Sequence, residues 1–135
     1  MSYKIDEIEG IGPAYAEKLT AAGITTTEDL LSKCSAPAGR KSVALATGLG
    51  ESTILKWTNM ADLMRVSGIG PQYSELLKGS GVDTIKELRT RNAENLAATM
   101  EKVNDEKKLA RVAPAAASVA KWVEAAKGME PRITH

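Results

Sequence analysis

The sequence contains no phenylalanine, and aromatic residues make up only 4% of its 135 residues. The apolar core must therefore be built from leucine, isoleucine, valine, methionine and alanine, with Trp57 and Trp122 as its bulkiest members. Alanine, leucine and methionine favour helices, whereas strands are enriched in aromatic and β-branched residues. The composition therefore predicts an all-α fold.

Histidine and cysteine occur once each, as His135 and Cys34. One cysteine cannot form an intramolecular disulfide, which fits a reducing compartment. These two residues cannot supply a His/Cys metal cluster or a Ser-His-Asp set, and phosphate-loop and dinucleotide fingerprints are missing. We therefore predict a protein that is not an enzyme, holds no metal and needs no cofactor.

Long apolar runs and an excess of basic residues are also missing. No segment approaches the ~20 consecutive apolar residues of a membrane span, and the first residues do not resemble a signal peptide. We therefore expect a cytoplasmic protein without a membrane partner. The 18 basic and 17 acidic residues give a net charge of +1, so any nucleic-acid surface must arise from local clustering of basic side chains.

Two segments of the sequence match over 22 residues without a gap. EGIGPAYAEKLTAAGITTTEDL begins at residue 9, and SGIGPQYSELLKGSGVDTIKEL begins 58 positions later. Gly-Ile-Gly permits a tight turn with positive φ, and the proline that follows is favoured at the first position of a helix. A later glycine is expected to end that helix in a left-handed conformation and a threonine to cap the next, at Gly23 and Thr26 in the first copy. The match predicts two equivalent halves.

A weaker version of the same pattern lies inside the first half, at Gly48-Leu49-Gly50. We expect a helix over residues 37–46, N-capped by Ser35, to enter this turn. A helix over residues 51–66, which places Trp57 on its apolar face, is expected to leave it. The first half therefore contains two predicted hairpins.

The matching hairpin of the second half is degenerate. Lys121-Trp122 matches Lys56-Trp57, but with seven extra residues, which we expect at about 104–107 after a helix over residues 93–103. Ala113-Pro114-Ala115 stands where Gly-x-Gly would be, and Pro114 is expected to open a helix that Gly128 closes.

The segment IEGIGPAYAEKLTAAGITTTEDLL resembles the helix-hairpin-helix motif of DNA repair enzymes, DNA ligases and family X polymerases. The whole chain resembles an uncharacterised bacterial family of tandem helix-hairpin-helix proteins. The resemblance implies an all-α fold of two tandem double helix-hairpin-helix units packed as one compact helical domain. The units are expected at residues 1–65 and 66–128, with a frayed tail over residues 129–135.

In the DNA-binding members of that motif, backbone N–H groups at the start of a helix bind a phosphate oxygen without contacting a base. The resemblance implies double-stranded DNA as the partner. Carried over by position, the implied phosphate-binding residues at three hairpins are Gly10, Gly12 and Lys18, then Gly48, Gly50 and Lys56, then Gly68 and Gly70. Leu76 stands where the third hairpin would carry its lysine.

The acidic residues around the first hairpin favour a different partner. Carboxylates repel phosphate, and four of them crowd this turn: Asp6, Glu7, Glu9 and Glu17. The alternative function is therefore a protein-interaction or scaffold module, in which Gly-Ile-Gly serves only to let helices turn and pack. Arg40 and Lys41 precede the second hairpin and Arg65 the third, so the expected order of anion binding is second, third, first and fourth.

Overall fold

The computed structural model describes residues 2–135, and it confirms the predicted all-α class. The helices are a short 3-10 helix (Ile5–Glu7), α1 (Pro13–Ala21), α2 (Thr27–Cys34), α3 (Pro37–Thr47), α4 (Glu51–Leu63), α5 (Pro71–Gly79), α6 (Ile85–Leu88), α7 (Ala93–Lys107) and α8 (Ala116–Lys127). Extended pairing within the described chain is limited to an isolated bridge between Lys4 and Thr26. None of the helices over residues 2–135 is both long enough and apolar enough to cross a bilayer.

The chain divides into two compact units. The first unit comprises Met1–Asp62 together with Arg132–His135, and the second comprises Leu63–Pro131. Along the chain, the second unit is therefore inserted between two segments of the first. The sequence-based boundary after residue 65 falls in the turn that follows α4.

The core of the second unit is almost entirely aliphatic, in keeping with the lack of phenylalanine. Its fully buried side chains come from the helices α5 to α8, from the turns before and between them and from the last residue of α4: Leu63, Ile69, Leu76, Leu77, Val82, Ile85, Leu88, Leu96, Met100, Val119 and Ala126. Trp122 is the one large aromatic side chain in this core, and it is 5% exposed. Trp57 is 3% exposed in the first unit, so both tryptophans are core residues as predicted.

Helix α1 ends at a left-handed glycine, as its sequence predicts. Gly23 has a φ of +87°, and the Ile24 amide donates to the Leu19 carbonyl at 2.9 Å. This pattern is a Schellman motif, which satisfies the last carbonyls of the helix and turns Ile24 into the core. Helix α5 ends in the same way at Gly81, whose φ is +92°.

Helix α2 is capped by Thr26, also as predicted. The Thr26 hydroxyl accepts from the Asp29 amide at 3.1 Å, and the Asp29 carboxylate accepts from the amides of Thr25 and Thr26 at 3.0 and 3.2 Å. The hydrogen bonds from the backbone and then the side chain of Thr25 lower the pKa of Asp29 most. Because this folded-state pKa is lowered, the stability that the carboxylate contributes is present above the usual aspartate pKa and is lost as the pH falls through the lowered value.

One predicted N-cap and one predicted helix start are wrong, whereas α3 does begin at Pro37 as predicted. The N-cap of α3 is Ala36 rather than Ser35, because Ser35 still has helical dihedrals as the C-cap of α2 and its hydroxyl donates to the Leu31 carbonyl. Helix α8 begins at Ala116 rather than at Pro114, because the backbone of Ala115 is extended, with φ −69° and ψ 152°. Pro114 therefore lies just ahead of the helix that it was expected to open.

Two helix ends also differ from the prediction. Helix α4 ends at Leu63, where a turn begins, rather than at residue 66. Helix α7 runs to Lys107 instead of stopping near residue 103, so residues 104–107 lie inside this helix rather than after it. Lys108 ends α7 by adopting a left-handed φ of +54°, a conformation that no local glycine announces.

Gly39 brings α3 into close contact with the end of α2. A Cβ atom built on Gly39 would stand 1.9 Å from the carbonyl oxygen of Lys33, well inside any van der Waals contact. Cys34 is fully buried at the same junction. Burial raises the pKa of its thiol to about 11, against weaker lowering by nearby Arg40, so the thiol is protonated at neutral pH.

Arg40 is buried at this junction, with 5% of its surface exposed. Its guanidinium donates to the carbonyls of Cys34 and Ser35 at 2.9 Å each and to the Thr134 carbonyl at 2.7 Å. The cation thereby satisfies carbonyls at the C-terminal end of α2, where the helix dipole is negative.

The last residues of the chain belong to the first unit. Thr134 donates its amide to the Ser35 carbonyl at 2.8 Å, and Arg132 donates to the Glu28 carboxylate at 2.9 Å. The tail predicted over residues 129–135 carries no helix. We expected this tail to fray, because the sequence gives no sign of these hydrogen bonds to residues about a hundred positions away.

Candidate functional site

The two Gly-Ile-Gly turns share one backbone conformation. Gly10 and Gly68 have φ angles of +93° and +97°, which is the positive φ that the Gly-Ile-Gly pattern predicts within each turn. Gly12 and Gly70 have φ angles of −84° and −97° and are the N-caps of α1 and α5. The first glycine of each turn thus supplies the positive φ, and the second supplies backbone without a side chain at the start of a helix.

The start of α1 is open to close approach. A Cβ atom built on Gly12 would meet no atom within 4 Å, and Gly12 and Ala14 are exposed. Helix geometry leaves the first amides without an intrahelical acceptor, and Pro13 has no N–H to offer. At the start of α5 the space around Gly70 is equally free, but Gly70 itself is partly buried.

The Gly48-Leu49-Gly50 turn is built differently. Gly48 is the left-handed C-cap of α3, with a φ of +76°, and its amide donates to the Ala44 carbonyl at 2.9 Å. The amides at the start of α4 are those of Gly50 and Glu51, and both residues are exposed. An anion at this turn would meet Gly50 and Glu51 rather than Gly48.

The predicted basic side chains do not all face solvent. Lys18 and Lys56 are exposed, as is Lys41. Arg40, expected beside the second hairpin, is buried on the carbonyls of α2. Arg65, expected beside the third, donates to the Glu130 carbonyl at 3.0 Å. The structure therefore leaves lysines, rather than arginines, to neutralise an anion at these turns.

A tyrosine–tryptophan pair packs behind each Gly-Ile-Gly turn. The ring centroids of Tyr15 and Trp57 are 5.5 Å apart at 54°, and those of Tyr73 and Trp122 are 5.3 Å apart at 51°. The first glycine lies against the indole, since a Cβ atom on Gly10 would stand 3.6 Å from Trp57 Nε1. Sequence analysis identified both tryptophans as core residues but not their contacts with the turns.

We expect Gly68→Ala to lower the free energy of unfolding by about 2 kcal/mol and Gly10→Ala by about 1 kcal/mol. Both substitutions place a side chain at positive φ, which costs roughly 1 kcal/mol or more. Gly68→Ala also brings the new Cβ to 2.8 Å from Trp122 Nε1, against 3.6 Å for the matching contact of Gly10. Urea unfolding followed by circular dichroism measures both values, and equal losses would contradict the role of the indole contact.

Within residues 2–135, no group of three or more histidine, cysteine, aspartate and glutamate side chains is placed to hold a metal ion. Neither the curated proteins nor the solved structures include a significant match to the chain. The model of one protein family does match it, over residues 9–129, and that family is described as a domain of unknown function, DUF4332. The matched region takes in both Gly-Ile-Gly turns and both tryptophans, and the chain therefore belongs to the DUF4332 family.

Proposed function

We propose that the protein is a non-enzymatic tandem helix-hairpin-helix module that binds double-stranded DNA without sequence preference. Backbone amides at the hairpin turns would bind phosphate oxygens, at the start of α1, α4 and α5. The observation that carries the proposal is the open backbone at Gly12 and Gly70, where a Cβ atom would meet nothing within 4 Å. A phosphate needs such an approach to reach amides at the positive end of a helix dipole.

The second hairpin is the strongest of these anion sites. Gly50 is exposed at the start of α4, Lys56 is exposed in the next turns of the same helix, and Lys41 is exposed on α3. Glu51 is the opposing charge. At the first hairpin, by contrast, Lys18 is outnumbered by four exposed carboxylates within residues 6–17, and at the third the start of α5 is partly buried.

DNA binding is tested by fluorescence anisotropy of a labelled duplex titrated with the protein at several salt concentrations. We expect a dissociation constant of roughly 10⁻⁴–10⁻⁶ M at physiological salt, and tighter binding at low salt. Lys56→Ala should weaken binding and reduce the slope of log affinity against log salt by about 0.9 for each phosphate that the variant no longer neutralises.

Lys102→Ala is the matched control for Lys56→Ala. Lys102 is exposed on α7, away from the predicted hairpin turns in sequence, and its loss changes the net charge by the same amount. Binding by this variant should equal that of the unaltered protein. If no duplex binds at low salt, or if both lysine variants lose affinity equally, the phosphate contacts at the second hairpin are not made.

A protein-interaction or scaffold module is the second candidate. It is favoured by exposed apolar side chains, since Leu45 is 81% exposed and Tyr15 is 43% exposed. Such side chains do not assist phosphate binding. A duplex titration without binding, together with capture of a protein partner that Leu45→Ser abolishes, would favour this function.

A further inference from the structure

In the second unit, the tyrosine hydroxyl of the tyrosine–tryptophan pair binds a backbone carbonyl. Tyr73 Oη donates to the carbonyl oxygen of Val112 at 3.0 Å. Val112 lies in the segment of residues 108–115 that connects α7 to α8 and has no helix of its own. The connector thus places irregular, non-helical backbone, with one carbonyl pointing to the tyrosine, beside the pair.

The first unit has the same ring pair without the connector. The ring centroids of Tyr15 and Trp57 are 5.5 Å apart, close to the 5.3 Å between those of Tyr73 and Trp122. Here only Gly48-Leu49-Gly50 connects α3 to α4, whereas eight residues connect α7 to α8. Tyr15 is 43% exposed, and its hydroxyl forms no hydrogen bond within the described residues. The surface of the ring pair is therefore uncovered in the first unit, whereas the connector covers the equivalent surface in the second unit.

The connector and the uncovered surface have opposite charges. The connector, Lys-Leu-Ala-Arg-Val-Ala-Pro-Ala, carries two basic residues and no acidic one, and Lys107 precedes it at the end of α7. Residues 4–18 of the first unit carry four carboxylates and two lysines, all exposed. In the second unit, Ser67 stands at the position that corresponds to Glu9. An acidic surface attracts a basic segment and repels phosphate.

We propose that the Tyr15–Trp57 surface of the first unit binds a non-helical, basic segment of a partner protein, with Tyr15 Oη donating to a backbone carbonyl of that segment. Small apolar residues around this carbonyl, like those next to Val112, would let the backbone lie close to the rings. The proposal concerns the face of the tyrosine rather than the hairpin amides, so it does not rest on DNA binding at the second hairpin.

A fluorescein-labelled peptide with the sequence of residues 107–116 tests the proposal by anisotropy against the full chain. We expect saturable binding that Tyr15→Phe weakens about three- to tenfold, the range that one neutral hydrogen bond confers. Glu9→Lys should also weaken it, and a peptide with serine in place of its three basic residues should bind less tightly. Amide shifts in NMR spectra should cluster within residues 9–18.

Tyr73→Phe is the matched control, because it removes the equivalent hydroxyl from the second unit. This variant should bind the peptide as tightly as the unaltered protein. The proposal is overturned if the peptide does not bind, if both tyrosine variants lose affinity equally, or if the shifted amides lie elsewhere. Displacement of the peptide by duplex DNA, with an equal loss of duplex affinity in Tyr15→Phe, would instead assign this surface to nucleic acid and would also overturn it.

Discussion

Replacing Gly39 by alanine is expected to lower the free energy of unfolding by about 3 kcal/mol, although alanine is the better helix former by about 1 kcal/mol. The new Cβ atom would stand 1.9 Å from the carbonyl oxygen of Lys33. That oxygen belongs to the backbone of α2, so it cannot move away as the end of a flexible side chain would. Helix α3 must shift away from α2, which would strain the hydrogen bonds of Arg40.

Gly79→Ala is the matched control, since Gly79 is the other glycine inside a helix. A Cβ atom there would stand 3.3 Å from Cγ1 of Val103, a side-chain atom that can give way. We expect the free energy of unfolding of this variant to lie within about 1 kcal/mol of that of the unaltered protein. Chemical denaturation followed by circular dichroism compares the two, and a neutral Gly39→Ala would show that the close contact between α2 and α3 is not maintained in solution.

Trp57→Ala is expected to cost about 3–5 kcal/mol, the usual range when a buried tryptophan is removed from a core. Trp57 is 3% exposed, and it packs against the ring of Tyr15 and the backbone of Gly10. Its removal would leave a cavity behind the first turn. The expected loss is large compared with the total stability of about 5–15 kcal/mol that is typical of a small protein. The denaturant concentration at the midpoint of unfolding should therefore fall clearly.

Two further variants separate the loss of packing from a general loss of apolar surface. Leu45→Ala removes an apolar side chain that is 81% exposed, and its stability should change by no more than about 0.5 kcal/mol. Trp57→Phe keeps an aromatic ring beside Tyr15 and should lose less than Trp57→Ala. If Trp57→Ala lowers the free energy of unfolding by no more than Leu45→Ala does, the indole is not part of the core.

The helix ends that the sequence predicts correctly are those whose signals are local. Pro13 marks the start of α1, Gly23 marks its end and Thr26 caps the next helix, because each acts through the dihedral angles or hydrogen bonds of its own neighbourhood. The boundaries that differ depend on neighbours. Ser35 is a good N-cap by type, but it is already the C-cap of the preceding helix.

The contacts of the candidate site were harder to predict from the sequence, because they join residues that are far apart along the chain. Proximity in sequence placed Arg40 beside the second hairpin, but the guanidinium is held by a carbonyl 94 residues further along the chain. The match between the two halves aligned Tyr15 with Tyr73, but it did not show that each ring packs on a tryptophan of a later helix. The difference in connector length was visible in the sequence, whereas its effect on the exposure of Tyr15 required the fold.

Arg40 and Thr134 leave the ribosome in an order that affects how the first unit matures. The guanidinium emerges 94 residues ahead of the carbonyl that becomes its acceptor. The whole of Leu63–Pro131 is translated in between. A nascent chain that has completed α1 to α4 can therefore pair the Arg40 guanidinium with the carbonyls of Cys34 and Ser35 but still lacks its third acceptor. The unit whose helices are synthesised first therefore completes its hydrogen bonds only after the second unit has been translated, when Arg132–His135 are added.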